Sequence, residues 1–223
     1  MRSVPLLLLG PIAVFAQPFS AGIKAGVPLT DFLNATENGV YSGYTVSTQR
    51  YIVGGVAELR LPLGFGVEFD ALYRHLHYDG SIAYTVPFTG LVYALPTRTT
   101  GNNWEFPLLL KYRFHVPVVR PYLDAGAAWD TLAGLKQTIM GGPINPGGPV
   151  VPAGTTTTSS PSELKENTTM GFVLGGGVDI HAAFLHISPE IRFTRWNSAQ
   201  IGDTFGLLRS NRNQAEFIVG FTF

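Results

Sequence analysis

The chain has 223 residues, of which 45% are hydrophobic and only 13% are charged, about half the charged share of an ordinary soluble domain. Fifteen basic and fifteen acidic residues cancel, so no global field attracts nucleic acid, and zero cysteines exclude disulfides, cysteine-ligated metals and a cysteine nucleophile. The 26 glycines, 16 prolines and 12% aromatic residues favour many short strands and turns over helices.

Residues 1–16 have the pattern of an export signal. Arg2 supplies a positive charge, residues 4–15 are mostly apolar, and residues 14–16 match the small-residue pattern that precedes a cleavage site. The apolar run is too short for a membrane-spanning helix, which needs about 20 residues. We therefore expect cleavage before Gln17 and one domain at residues 17–223, with a buried N-terminal strand or helix as the alternative.

Beyond this segment, apolar and polar residues alternate with the period of two that is typical of strands. In one segment Trp104, Leu110 and Phe114 share a face, and Lys111 and Arg113 lie on the other. The same pattern predicts eight strands, at residues 19–28, 49–61, 65–76, 103–114, 120–129, 168–181, 185–196 and 212–223.

The connections between these strands alternate in length. Three are short, at 62–64, 115–119 and 182–184, and four are long, at 29–48, 77–102, 130–167 and 197–211. Such alternation is typical of an up-and-down barrel with one trimmed and one elaborated rim, as in bacterial outer-membrane barrels with short periplasmic turns. The sequence therefore predicts an all-β fold, an eight-stranded antiparallel transmembrane barrel.

We assign the polar face of the strands to the barrel interior. This face is rich in glycine, which suits a narrow lumen, and each Arg or Lys facing lipid would cost about 2 to 4 kcal/mol at mid-bilayer. We expect Arg60 and Arg74 to pair with Glu68 and Asp70. A soluble lipocalin-like barrel, with its apolar face inward, is the alternative. The predicted interior ion network comprises Lys24, Glu58, Arg60, Glu68, Asp70, Arg74, Glu105, Lys111, Arg113, Asp124, Asp179, Glu190, Arg192 and Glu216.

The last strand carries a family resemblance. Residues 216–223, Glu-Phe-Ile-Val-Gly-Phe-Thr-Phe, resemble the C-terminal strand of small eight-stranded bacterial outer-membrane proteins, the group that contains the OmpA transmembrane domain and OmpX. Residues 120–128 resemble another strand of that family more weakly, and the likeness covers nearly all of the mature chain. In the family, the barrel-assembly machinery reads the terminal strand. The resemblance thus implies an assembly signal formed by Phe217, Val219, Phe221 and Phe223.

The resemblance also implies a location and partners. It implies export through the periplasm, insertion in the bacterial outer membrane, and contact with outer-membrane lipid and the assembly machinery. We expect a monomer that binds no nucleic acid. An eight-stranded lumen is filled by side chains, so we expect no general diffusion pore.

Residues with catalytic chemistry are few. His75 and His77 could share one side of a strand as a metal pair, but the sequence shows no third ligand nearby. His186-Ile187-Ser188 is similar to the His-x-Ser element of outer-membrane lipid A deacylases, in which the Ser attacks and the His is its base. The residues that follow, Pro189 and Glu190, depart from that family's pattern. We expect no catalytic residue, no cofactor and no metal site, and a lipid-modifying hydrolase remains the alternative.

The long connections are where specific function is expected. Residues 141–162 contain five prolines and five glycines, a composition that predicts a mobile external loop. The sequence therefore predicts a structural or surface-interaction protein whose long loops would hold an external ligand.

Overall fold

The protein folds into a closed antiparallel β-barrel. The computed structural model describes residues 19–35, 43–48, 50–85, 92–116, 119–140, 155–182, 185–204 and 206–223. The predicted export signal at 1–16 lies outside the described residues.

Eight strands of the described ranges form the barrel wall, and four short strands stand above it. The wall runs in the order β1, β4, β5, β6, β7, β9, β10, β12, and β12 pairs with β1 to close it. The predicted fold class and strand number are therefore confirmed. The strands are β1 (Phe19–Pro28), β2 (Leu33–Ala35), β3 (Tyr44–Val46), β4 (Ile52–Arg60), β5 (Phe65–Thr85), β6 (Val92–Arg113), β7 (Val119–Ile139), β8 (Thr156–Thr158), β9 (Thr168–Ala182), β10 (Leu185–Trp196), β11 (Leu208–Ser210) and β12 (Asn213–Thr222).

One rim of the barrel holds the start of β1, the end of β12 and the strand ends that border the three short connections, from β4 to β5, from β6 to β7 and from β9 to β10. At this short-turn rim, Ala21 and Phe223 exchange backbone hydrogen bonds of 3.4 and 3.2 Å. The turn before β5 is tight, with positive φ at Leu63 (64°) and Gly64 (86°). No helix within the described part of the chain is long and apolar enough to cross a membrane.

The opposite rim, here called the tall rim, extends further than the sequence predicted. β5 and β6 stay paired up to Thr85 and Val92, and β7 continues to Ile139, so the predicted loop at 77–102 is wrong. These extensions lack the apolar contrast that marks a half-buried strand, although their threonines favour extended structure. A bulge between Thr100 and Asn102, opposite the positive φ of Gly134, shifts the register there.

The outer face of the barrel carries an apolar belt. Leu108, Leu110, Leu123, Phe172 and Ile191 are 44–59% exposed on different strands of the wall. Exposed aromatic residues border the belt, with Trp104 and Trp129 toward the tall rim and Phe65, Tyr112 and Phe114 toward the short-turn rim. The ten residue steps from Trp104 to Phe114 correspond to roughly 25 Å at about 3.3 Å per residue and about 40° tilt. The lipocalin-like alternative is wrong, because it requires this apolar face to point inward.

Candidate functional site

The interior of the barrel contains ion pairs at its middle height. Lys24 on β1 lies 2.6 Å from Glu68 and 3.0 Å from Asp70, both on β5. Arg192 on β10 lies 2.7 Å from Glu190 and 2.9 Å from Asp70. All five side chains are buried. Because each charge meets an opposite charge, the network avoids the large cost of an unpaired buried ion.

The contact between Arg192 and Asp70 joins opposite walls of the barrel. β10 and β5 are separated by three strands in either direction around the wall. Their charged groups nevertheless approach to 2.9 Å, a distance that admits no water between them. The lumen is therefore bridged across its diameter at this height.

A second group of charges lies toward the tall rim. Arg74 on β5 binds Glu216 at 2.6 Å and Glu105 at 3.0 Å. Its guanidinium carbon also lies 5.4 Å from the ring centroid of Phe32, within the range of a cation–π contact. Arg74 thus links the interior network to the residues that cover the tall rim.

A third group lies toward the short-turn rim. Arg113 on β6 binds Glu58 on β4, with Nη2 2.6 Å from Oε2, and Asp179 on β9, with Nε 3.1 Å from Oδ2. Arg60 lies at the mouth, 30% exposed, with its Nε 3.9 Å from Glu58. This group connects three strands that are not neighbours in the wall.

Lys111 and Asp124 complete the predicted set. Lys111 binds Glu68 and lies 4.2 Å from the ring centroid of Tyr122, whose hydroxyl donates to Glu190 at 3.1 Å. Asp124 faces Lys111 across the β6–β7 pair, yet among the described residues neither carboxylate oxygen accepts a hydrogen bond. Asp124 is thus a buried acid of the inner face with no ion pair or hydrogen bond of its own among the described residues.

The structure places all of the fourteen predicted network residues on the inner face, and all but Arg60 are buried. The expected pairing of Glu68 and Asp70 with Arg60 and Arg74 is wrong. Arg60 lies at the mouth, and Arg74 lies above the central network and binds other acids. In a narrow barrel, long side chains also reach across the lumen, so pairing between neighbouring strands does not by itself determine the partners.

Two buried acids were missed by the sequence analysis. Asp130 is fully buried and Glu163 is 2% exposed, and both fell in the predicted connection at 130–167. The inward alternation of Asp124 and Ala128 continues to Asp130, so a longer predicted strand would have included it. Glu163 carries no such signal, because it lies outside the wall strands.

A folded cap covers the tall rim. This outer cap comprises β2, which pairs with β11, together with β3 on β5 and β8 on β7. It closes over a buried apolar cluster of Phe32, Leu33, Tyr44, Leu76, Tyr78, Leu132, Leu135, Ile201 and Leu208. The cap is thus packed on the extended parts of β5 and β7, which supply Leu76, Tyr78, Leu132 and Leu135 to a shared apolar core.

Polar contacts hold part of the cap on the barrel extension. The buried carboxylate of Glu163 accepts hydrogen bonds of 3.1 Å from the Tyr44 hydroxyl and 3.1 Å from the Gln137 amide. Burial, reinforced by the charge of Glu163, raises the pKa of Tyr44 and keeps its hydroxyl protonated as a donor. The prediction of a mobile loop at 141–162 is wrong for Thr156–Thr158, which pair with β7, and for the buried Pro161. Residues 141–154 lie outside the described part.

A cavity of about 370 Å³ lies between the cap and the barrel wall. Its lining includes the exposed ion pair between Arg50 and Asp31, 2.8 Å apart, and the buried Arg74. Tyr44 and Phe32 contribute apolar surface. The cavity combines charged and aromatic groups at the tall rim.

The His-x-Ser element lies at the short-turn end of the interior. The hydroxyl of Ser188 donates to Asp179 Oδ1 at 3.5 Å, and His186 Nδ1 lies 3.3 Å from the same oxygen. In a serine hydrolase the hydroxyl is bonded to the histidine and the acid orients that histidine. Here both groups converge on the acid, so the geometry differs from that relay.

His75 and His77 lie half-buried on the outward side of β5. His77 Nε2 approaches Asp79 at 3.4 Å, and Asp79 also binds Arg98 at 2.9 Å. In the described ranges these histidines belong to no group of three potential metal ligands.

The four residues of the predicted assembly signal lie on the outer face of the terminal strand. Phe217 and Phe223 are 38% and 73% exposed, and Val219 and Phe221 alternate with them in the same direction. β12 pairs with both β10 and β1, so this strand closes the barrel.

Comparison with known proteins identifies the architecture. No protein-family model matches the chain, and no curated protein matches it. The solved structure of the outer membrane protein OprG from Pseudomonas aeruginosa matches with a TM-score of 0.51 and 13% identity, over 92% of each chain. The chain has the fold of the small outer-membrane barrels.

Other matches to this barrel fold have lower structural scores. Neisserial surface protein A matches with a TM-score of 0.45 and 12% identity, over 92% of this chain and 96% of that one. The attachment invasion locus protein Ail of Yersinia pestis matches with a TM-score of 0.40 and 9% identity, over 92% of this chain and 98% of that one.

Proposed function

We propose that the protein is an integral barrel of the bacterial outer membrane that presents the outer cap to the exterior in a structural or surface-interaction role. The observation that carries this proposal is the apolar belt on the outside of a charged and closed interior. Such an arrangement is unfavourable in water, where large exposed apolar patches drive association, and favourable in lipid. The short-turn rim then faces the periplasm, as expected after export.

The interior of the barrel favours a role in holding the outer cap in the membrane over a role in conducting solutes. Arg192 and Asp70 bridge opposite walls, and Lys24 adds a second link from β1 to β5. A diffusion pore needs a continuous water-filled path, which this cross-barrel contact interrupts. We therefore assign no general pore function.

The surface role is assigned to the outer cap. The cap stands on the extended parts of β5 and β7, beyond the apolar belt, where it would contact water and external molecules. The packed apolar core beneath the cap fixes the positions of the surface side chains. An external ligand would bind to these side chains, including those around the 370 Å³ cavity.

The proposal includes two biological partners. Outer-membrane lipid would contact the belt, and the barrel-assembly machinery would read Phe217, Val219, Phe221 and Phe223 on the exposed face of β12. The second partner rests on the resemblance of the terminal strand. Within this proposal the barrel acts as a monomer.

We assign no enzymatic activity. The hydrolase alternative needs Ser188 to be activated by His186, and in the structure both are bonded to Asp179. Replacing Ser188→Ala should leave the acylation pattern of cellular lipid A unchanged, as measured by mass spectrometry. Loss of an acyl-chain cleavage activity in this variant would overturn the assignment.

Refolding of residues 17–223 tests the membrane assignment. In detergent micelles the chain should fold with a strand-dominated circular dichroism spectrum and should migrate differently on gels with and without heating. In planar bilayers it should show no steady conductance. Folding as a soluble monomer without detergent would contradict the membrane assignment, and a steady open conductance would contradict the closed lumen.

A further inference from the structure

A group of metal-ligand side chains lies at the short-turn mouth of the lumen, apart from the outer cap. Asp179 and His181 belong to β9, and His186 belongs to β10. His181 and His186 face each other across the strand pair, and their ring centroids are 3.9 Å apart. The two strands pair directly at this point, Leu185 with Ala182 and His186 with His181, so the backbone holds the three side chains together.

The spacing of the ligand atoms suits one small cation. One atom offered by each residue lies within 4.8 Å of the others, and Asp179 Oδ1 and His186 Nδ1 are 3.3 Å apart. Two ligands bound at about 2.0 to 2.1 Å to a tetrahedral zinc ion lie about 3.3 to 3.4 Å from each other. Two of the three ligands thus already stand at the required separation. His181 is exposed, so its ring can rotate to supply the third ligand.

The carboxylate of Asp179 is oriented by Arg113, which is not one of the three metal-ligand residues. Arg113 Nε donates to Asp179 Oδ2 at 3.1 Å, so Oδ1 is the oxygen that lies toward His186, where it also accepts a 3.5 Å hydrogen bond from the Ser188 hydroxyl. Hydrogen bonds of this kind orient ligating carboxylates in metal sites. Arg113 is itself fixed by Glu58, so Asp179 is held by a buried group that does not depend on a metal.

We propose that Asp179, His181 and His186 form a binding site for a divalent transition metal of the zinc class, with water completing the coordination. Two imidazoles and one carboxylate suit Zn²⁺, Co²⁺, Ni²⁺ and Cu²⁺ better than Ca²⁺ or Mg²⁺, which prefer all-oxygen ligands. The mouth is exposed through His181, so the metal enters from the short-turn side. That this side faces the periplasm rests on the proposed function, whereas the site itself does not.

Nearby positive charge limits the affinity. Arg113 contacts the cluster, and Arg60 and Arg120 act electrostatically on His181. Glu58 and Asp179 balance only part of this charge. We therefore expect a reversible site on a barrel that folds without the metal.

Metal titration of the refolded, tag-free barrel tests the site. Zn²⁺ binding is followed by calorimetry, and Co²⁺ binding by the visible absorption bands of a tetrahedral complex. One equivalent should bind per barrel, and excess chelator should reverse it. Absence of stoichiometric binding of either ion would overturn the proposal.

A single variant tests His181 as a metal ligand. His181→Ala removes an exposed ring, so the barrel should keep its heat-modifiable migration while its metal affinity falls more than about 10-fold, since loss of outer-sphere partners alone costs about 10- to 100-fold. The matched control is His115→Ala, an exposed histidine near the same rim, which should bind as the parent does. Equal loss in both variants, or unchanged affinity in His181→Ala, would overturn the assignment.

Discussion

Leu110 and Lys111 are consecutive residues of β6 with opposite surroundings. Leu110 is 55% exposed on the apolar belt, whereas Lys111 is 1% exposed and bound to Glu68 in the lumen. A strand places successive side chains on opposite faces, so this contrast follows from the backbone alone. It also allows the two faces to be tested separately.

Replacing Leu110→Arg should lower the free energy of unfolding by about 2 to 4 kcal/mol, because a guanidinium near mid-bilayer loses its hydration. The measurement is denaturant unfolding from lipid vesicles. Met140→Arg, at an exposed apolar residue beyond the end of β7, is the matched control and should cost about 0 to 1 kcal/mol. Equal effects at the two positions would contradict the position of the belt.

Replacing Lys111→Leu should also destabilise the barrel, by about 3 kcal/mol, although it makes the interior more apolar. Glu68 would lose one of its two lysine partners. The loss of stability stays near the low end of the range for a broken buried ion pair, because Lys24 remains 2.6 Å from Glu68. The same unfolding assay applies. The double variant Lys111→Leu/Glu68→Gln should be less unstable than the sum of the two single variants, since it removes the acid that Lys111 neutralises. Simple additivity would show that the pair is not coupled.

At the scale of elements, β7 and β8 show where the sequence pattern was too weak. The predicted loop at 141–162 was judged by its proline and glycine content, yet Ile139 pairs with Thr156 and Gln137 with Thr158. Three threonines do not predict a strand by themselves. They become a strand here because they pair with the edge of β7, which exists only in the folded barrel. Glu163 was missed for the same reason, since its environment is created by Tyr44 and Gln137.

The β7–β8 pairing allows residues 141–154 to be deleted without removing either strand. Replacing residues 141–154 with Asn-Gly would join Met140 and Thr155 by a two-residue hairpin turn that suits paired strands. Shortening the connection should stabilise the fold by no more than about 2 kcal/mol, through lower closure entropy. Thermal unfolding and limited proteolysis would measure this.

Extending the same deletion to Ser162 is its control. It removes β8 and the buried Pro161, so the outer cap should become sensitive to protease while the barrel keeps its heat-modifiable migration. If the longer deletion leaves the cap as resistant as the parent, β8 does not contribute to holding it.

At the scale of the whole molecule, β12 closes the wall between β10 and β1, and its outer face ends at Phe223. Under the proposed function, Phe223→Ala should reduce the amount of folded barrel in cell membranes. It should leave refolding in detergent nearly unchanged, because this side chain is 73% exposed and buries little surface. Phe19→Ala, 57% exposed at the start of the adjacent β1, is the control and should assemble normally. Equal assembly of both variants would refute a signal at Phe223.

The sequence by itself determined the number of wall strands, the rim with the short connections and the direction of each face. These features are local: the period of two assigns each side chain to a face, and the cost of a charge in lipid decides which face is inside. Thus Glu68 and Arg192 could be placed on the inner face before any partner was known.

Tertiary structure alone decided which charges meet, how far β5, β6 and β7 extend, and that a packed cap covers the tall rim. Arg192 reaches Asp70 on the opposite wall, a pairing set by the diameter and stagger of the barrel rather than by spacing along the chain. The metal-ligand group has the same origin, because His181 and His186 meet only when β9 and β10 pair in this register. Contacts between distant segments depend on the closed geometry of the wall. The local alternation of apolar and polar residues does not predict that geometry.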